Sequence, residues 1–159
     1  MERIDTQRSL LKYVLLTIVT CGIYGLYFIY ALARDVNIMC EEDGKDTPGL
    51  LKYFLLSIVT CGIYSFVWYY NLGNRLQANA NEQYELNVSE NGTTVLLWML
   101  IGSLVCGIAT LVATNIIIKN TNAIATEYNN RLDNQENFIF PVVEAPSEVT
   151  EENSEANEE

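Results

Sequence analysis

Apolar and polar positions alternate along this chain in long blocks rather than in a helical or strand period. Tyr13 to Ala33 is uncharged for 21 residues, Tyr53 to Asn74 for 22, and Thr93 to Ile118 for longer still. About 20 apolar residues of helix cross a hydrocarbon core of roughly 30 Å. The pattern therefore predicts three transmembrane helices over about 10–33, 50–74 and 93–118. Beyond Lys119, Ile124, Tyr128 and Leu132 keep near-helical spacing among polar residues, which extends the third helix out of the bilayer over 119–133. Residues 134–159 hold eight glutamates and no base. Such a segment cannot bury enough apolar surface to offset the entropy of ordering, so it reads as a disordered acidic tail. The fold class expected is all-α integral membrane, with a membrane domain over 1–133 and the tail after it.

The blocks repeat. Leu10–Tyr24 reads LLKYVLLTIVTCGIY and Leu50–Tyr64 reads LLKYFLLSIVTCGIY, matching at 13 of 15 positions in a forty-residue register. Repetition at fixed spacing identifies the building unit before any fold is assigned. The third block is a degenerate copy: Cys106-Gly107-Ile108 aligns with Cys21-Gly22-Ile23, which sets Lys119 on Arg34 and Asn122 on Asn37.

Composition narrows the chemistry. The net charge of −11 falls mostly on the tail, since residues 1–133 hold 9 basic and 12 acidic side chains. No basic footprint for nucleic acid exists. Histidine is absent, which removes the commonest general base and metal ligand. Cys21, Cys40, Cys61 and Cys106 form no CxxC pair, so neither a disulfide framework nor a zinc site is supported. Glu41, Glu42, Asp43 and Asp46 lack calcium-loop spacing and read as a solvated connector. Two N-glycosylation sequons, at Asn87 and Asn91, read as coincidence in so asparagine-rich a chain. The first apolar run is too long and too tyrosine-rich for a cleaved signal peptide. No enzyme, cofactor or metal site is expected.

Two residue patterns remain. Small residues recur every four positions, at Thr17, Cys21 and Gly25, at Ser57, Cys61 and Ser65, and at Gly102, Cys106 and Thr110. In lipid, such stripes let helix backbones approach closely, so these residues are the expected helix-packing seam. Aromatic and basic residues gather at the segment ends: Lys12, Tyr13, Tyr30 and Arg34, then Lys52, Tyr53, Trp68, Tyr70 and Arg75, and finally Lys119. These are the expected interface anchors, with rings at headgroup level and cations snorkelling outward. No carboxylate lies inside any apolar segment, which argues against a coupled ion or proton transporter.

Orientation is nearly balanced. The N-terminal side and second loop carry four bases, the first loop and C-terminal side five. The first helix usually dominates, which favours an N-terminus inside. A difficulty follows from the repeat, because two near-identical single crossings must run antiparallel although their flanks are alike. A second reading removes it: each copy dips in, turns at Thr-Cys-Gly and returns to the side it came from. Backbone that is not helical is tolerated at depth only where it is shielded or lines water.

The phrase Leu16-Thr17-Ile18-Val19-Thr20-Cys21-Gly22-Ile23-Tyr24, followed by aromatics and Ala33-Arg34-Asp35-Val36-Asn37, resembles a prokaryotic family of small multi-pass membrane proteins, domain of unknown function 4234. The shared core is Thr20, Gly22, Ile23 and Tyr24, repeated at Thr60, Gly62, Ile63 and Tyr64. The second copy departs after Tyr70, where Gly73-Asn74-Arg75 replaces Ala33-Arg34-Asp35. The resemblance implies an integral protein of a bacterial cell membrane and brings no activity. The expected role is an interaction or regulatory component acting through helix packing. Its expected partners are the lipid bilayer and another copy or another membrane protein. A homo-oligomeric channel or transporter is the alternative.

Overall fold

The computed structural model describes residues 2–104 and 107–139. It is all-helical, with six α-helices: α1 (Leu10–Val19), α2 (Ile23–Met39), α3 (Leu50–Val59), α4 (Ile63–Glu82), α5 (Gly92–Leu104) and α6 (Ile108–Ile139). A short 3₁₀ turn, Glu41–Asp43, follows α2.

The three expected membrane-crossing helices are overturned. Among the described residues no helix is long and apolar enough to cross a membrane. The apolar blocks break into pairs of helices, and the break falls at the repeated Thr-Cys-Gly. Cys21 and Cys61 take left-handed backbone, with φ of 50° and 51°, and Gly22 and Gly62 follow at 94° and 89°. The Gly22 N–H reaches back to the Thr17 carbonyl (2.8 Å) and the Cys21 N–H to that of Ile18 (3.1 Å). That pair of bonds is the Schellman ending of a helix, built here on cysteine instead of the usual glycine. The chain then reverses. Tyr13 of α1 stacks on Phe28 of α2 at 4.7 Å, and Tyr53 of α3 meets Trp68 of α4 at 5.1 Å, so each block is an antiparallel helical hairpin. In the third block, the Gly107 N–H bonds to the Gly102 carbonyl at 2.8 Å, the same backbone relation as Gly22 to Thr17.

Three hairpins close into a ring, with α1 against α2, α2 against α3, and so on round to α6 against α1. Equivalent positions fill the centre: Leu32, Leu72 and Ile117; Val36, Leu76 and Thr121; Cys40, Ala80 and Ala125 are all buried. These triplets follow the offsets of 40 and 45 residues read from the repeat. The ring is tightest between α4 and α5. A Cβ on Gly92 would stand 1.9 Å from the Tyr70 carbonyl oxygen, so only glycine allows that approach.

A second expectation changes at the C-terminus. Helix α6 runs on to Ile139, past the boundary at 133 where the tail was expected to begin. The rest of the tail, 140–159, lies outside the described residues, as does Cys106.

Candidate functional site

The ring has two chemically opposite ends. At one end are the hairpin turns, the tips, where large apolar side chains stand in the open. Ile18, Val19 and Ile23 are 70–77% exposed, and Leu104, at 85%, and Ile108, at 68%, crown the third hairpin. Val59 and Ile63 repeat the pattern on the second. No charged residue occurs in these segments.

Yet the backbone donors of the first two tips are closed within the turns. From Thr20 to Gly25, six successive N–H groups bond within the turn, to Leu16, Ile18, Thr17, Thr20 and Gly22 carbonyls and, for Tyr24, to the Thr20 hydroxyl at 2.9 Å. That hydroxyl also donates to the Leu16 carbonyl at 2.6 Å, so one threonine closes the end of α1 and opens α2. Thr60 does the same between α3 and α4, at 2.8 and 2.9 Å. The N–H groups of Cys61, Gly62, Ile63 and Ser65 are likewise satisfied.

At the other end, the base, polar groups organise the ring. Amides clasp the extended chain just ahead of the next hairpin. Asn37 holds the Thr47 N–H and carbonyl, at 2.7 and 3.0 Å. Asn81 holds both backbone groups of Val88, at 2.8 and 3.1 Å. Asn122 holds those of Arg8 and Asn129 those of Ile4, which ties the third hairpin back to the segment before the first.

Equivalent helix positions then carry different buried groups. Asp35 pairs with the buried Arg8 guanidinium and with Arg34 at 2.9 Å. Forty residues on, Arg75 donates to Asp43 (2.7 and 2.9 Å), Asn37 (2.5 Å), Thr47 (2.8 Å) and the Cys40 and Lys45 carbonyls (3.1 and 2.5 Å). In the third copy Asn120, also buried, donates to the Glu90 carbonyl at 3.2 Å. Burial alone would raise the Asp43 carboxyl. The hydrogen bonds from Arg75, Asn79 and the Lys45 N–H outweigh it and bring its pKa down from 3.8 to about 2. Burial pushes the Cys40 thiol up to about 12 against the pull of Arg75, so it is inert as a nucleophile.

The residues singled out from the sequence sort between these zones. Ser57 and Ser65 meet at 3.3 Å across one hairpin, with the Tyr53 hydroxyl 3.1 Å from Ser65. Gly25 faces the Tyr13 hydroxyl, and Gly102 lies against the Thr110 backbone. Those contacts are between the two arms of one hairpin. Thr17 is partly buried with its hydroxyl unpartnered, and Cys21 and Cys61 are exposed. Lys12, Lys52 and Lys119 are exposed at the level where hairpins join the base, and Arg34 is 45% exposed there. Tyr30 is open, Tyr13, Tyr53 and Tyr70 half-buried, and the Trp68 indole donates to the Pro48 carbonyl at 2.8 Å. Arg75 and Trp68 are the departures: expected as surface anchors, both are buried, Arg75 as the hub of the base and Trp68 between the two arms of the second hairpin, its indole held by Pro48. Asp35, Asn37, Asp43, Asn79 and Asn122 were not singled out as a site. The signal available was the recurrence of a polar residue at the same repeat position, Asp35, Arg75 and Asn120. No group of acidic, cysteine or histidine side chains able to hold a metal ion occurs among the described residues.

The profile of the family described as Domain of unknown function (DUF4234) matches the chain twice, over residues 8–78 and 49–123. Each match spans two adjacent hairpins, and the second hairpin serves in both. No curated protein and no solved structure matches the chain.

Proposed function

The chain belongs to the family described as Domain of unknown function (DUF4234), a membership that brings no activity, and we propose that it is a membrane-seated interaction component. Its three hairpins dip into one leaflet from one side, and its acidic base faces water to meet a partner. The observation that carries this reading is the tip itself: exposed apolar side chains over a reverse turn whose N–H groups are satisfied internally. In water each such bond gains only about 0.5–1.5 kcal/mol, because water would otherwise take its place. In hydrocarbon each unpaired backbone group costs several kcal/mol, on the order of 4–8 in the least forgiving solvents.

Dimensions agree with a single leaflet. Ten residues of α1 or α3 reach about 15 Å at a 1.5 Å rise, half of a core of roughly 30 Å. The charged residues first met on leaving the apolar zone along α1, α2, α3 and α6 are Lys12, Arg34, Lys52 and Lys119, all basic and suited to headgroup phosphates. Beyond them Glu2, Glu41, Glu42, Glu82 and Glu85 are exposed, which suits a partner with a basic surface. A channel within one ring is poorly supported, since Leu32, Val36, Leu72, Leu76 and Ile117 fill the space where α2, α4 and α6 meet.

Membrane-impermeant thiol labelling tests the reading. Single cysteines at positions 5, 42 and 87, in a background with the four native cysteines replaced by alanine or serine, should label from the same side of sealed vesicles. In the unmodified protein Cys21 and Cys61 should resist the reagent from both sides until detergent is added. Labelling of positions 5 and 42 from opposite compartments, or of Cys21 in intact vesicles, would overturn it.

A further inference from the structure

At the base α2 stops at Met39 and α4 at Glu82, while α6 runs on to Ile139 and overhangs their ends. Beneath the overhang lies a cup of about 380 Å³. Buried Met39 and Tyr84 close its floor. Ile38 and the partly buried ring of Tyr128 form open walls, and exposed Glu2, Glu41 and Glu42 stand at the rim.

The acceptors of this cup are unused. Arg34 holds Glu2 at 3.5 Å, but Glu41 and Glu42 enter no ion pair among the described residues. In the wall, the Gln83 side-chain oxygen is buried and accepts from no donor. Asp43, Gln83 and Tyr128 hold one place in the three repeats. At that place Asp43 is answered by Arg75 and Asn79, whereas Gln83 is left with an unmade bond, which a buried acceptor rarely tolerates. The cation already in the wall is engaged: Arg131 lies 4.6 Å over the Tyr84 ring, donates to the Gln83 carbonyl at 2.6 Å and meets Glu127 at 3.7 Å. It shows how a guanidinium sits here, on a ring face and against an oxygen. Burial, and then the charges of Glu41 and Glu2, hold the Tyr128 phenol above its ordinary range, as a negative potential in the cup requires.

We propose that the cup takes an arginine side chain from a basic segment of a partner protein. The guanidinium stacks on Tyr128 and donates to Glu41, Glu42 and the Gln83 side-chain oxygen, with its methylenes along Ile38. The proposal rests on the reading above that the base meets a partner, and it gives that meeting an anchor. A planar guanidinium suits a ring face and several acceptors together better than a compact ammonium does. The chain's own C-terminus is no occupant, since residues 134–159 carry eight glutamates and no base. Rim acids steer a cation inward, and the buried oxygen fixes where it stops.

The probe is a dye-labelled glycine-serine peptide in which two arginines flank a photoreactive benzoylphenylalanine. Its twin carries citrulline, which keeps the shape of arginine and loses the charge. Both are offered to the full chain in neutral detergent micelles, with binding read by anisotropy and the cross-link mapped by mass. The arginine peptide should bind about tenfold tighter than its twin and cross-link at Ile38 and Met39 and within 128–135. Glu41→Gln with Glu42→Gln should weaken it about tenfold, whereas Glu82→Gln with Glu85→Gln, exposed acids outside the cup, should change it less than about twofold. Gln83→Leu should weaken binding about fivefold yet leave thermal unfolding of the free protein unchanged or higher, because the free protein does not use that acceptor. Cross-links confined to 140–159, equal binding of the twin, or equal losses in the two double variants would overturn the proposal. The thiol labelling at positions 5 and 42 reads the seating of the hairpins separately. One-sided labelling without binding in the cup removes the proposal alone, and labelling from opposite sides removes the reading beneath it.

Discussion

Hairpins one and two share their tips almost letter for letter, yet their bases have diverged to opposite charge. Along the arm leading to the tip, only Val14 and Thr17 change, to Phe54 and Ser57, which keeps an apolar and a hydroxyl residue in place. At the base Asp35 becomes Arg75, both are buried, and each meets a different partner: Arg8 for the first, Asp43 for the second. The tip is therefore a generic part, made to satisfy its own backbone and expose apolar surface whichever hairpin carries it. The base is a keyed part. A hairpin in the wrong place would set a buried charge against a like charge or against nothing, and an uncompensated buried charge costs roughly 3–5 kcal/mol. Near-identical repeats need such keys, because their apolar faces cannot tell one neighbour from another. The amide clasps of Asn37, Asn81 and Asn122 close all three seams alike, while Asp35, Arg75 and Asn120 distinguish them.

Exchanging the keys should have the largest effect. Asp35→Arg gives hairpin one the base residue of hairpin two and sets a second guanidinium against the buried Arg8. We expect a loss of about 4 kcal/mol or failure to fold, read by denaturant unfolding in detergent micelles. Retention of most of the stability would show that the base is not keyed. A pH titration gives the next effect. The Asp43 carboxyl is held at about 2 in the folded chain against 3.8 when free, so its contribution is complete above about pH 4. That contribution is lost as pH falls from 4 towards 2, and it amounts to on the order of 2 kcal/mol. Asp43→Asn should remove this limb of the stability profile, whereas Asp46→Asn, at an exposed position, should leave it in place. The smallest effect is expected from exchanging tips. Val14→Phe with Thr17→Ser gives hairpin one the residues of hairpin two and should change stability by less than about 0.5 kcal/mol, because both positions are partly exposed, the larger ring stands 47% exposed at Phe54 of hairpin two, and a hydroxyl is kept at 17. A loss comparable to that of Asp35→Arg would erase the distinction between generic tip and keyed base.

Part of this was legible before any coordinates. The near-identical phrase identified the unit, and the alignment of Cys106-Gly107-Ile108 with the first two copies set the third hairpin in register. The break was written in the sequence too, at Thr20-Cys21-Gly22 and Thr60-Cys61-Gly62. It was hidden by the hydrophobicity around it. Loops usually declare themselves by polarity, because exposed backbone needs water. These turns satisfy their donors with a threonine hydroxyl and a Schellman pair, so the apolar run passes through them without interruption. Arg75 misled for a related reason. Basic residues at the end of an apolar block usually snorkel outward, and nothing local signalled the Asp43, Asn37 and Thr47 partners, which come from 28 to 38 residues earlier.

The sequence by itself determined the threefold unit, the apolar face each unit must expose or bury, the absence of histidine chemistry and the polarity of the two ends. Those properties follow from local composition and short-range spacing. Only the tertiary structure decided that each unit folds back on itself, that three units close into a ring, and that Asp35 and Arg75 are buried keys. These depend on contacts such as Asn122 with Arg8 and Asn129 with Ile4, more than a hundred residues apart. A pairing across that distance is decided by which buried groups can satisfy one another once the ring closes, and no single stretch of chain carries that information.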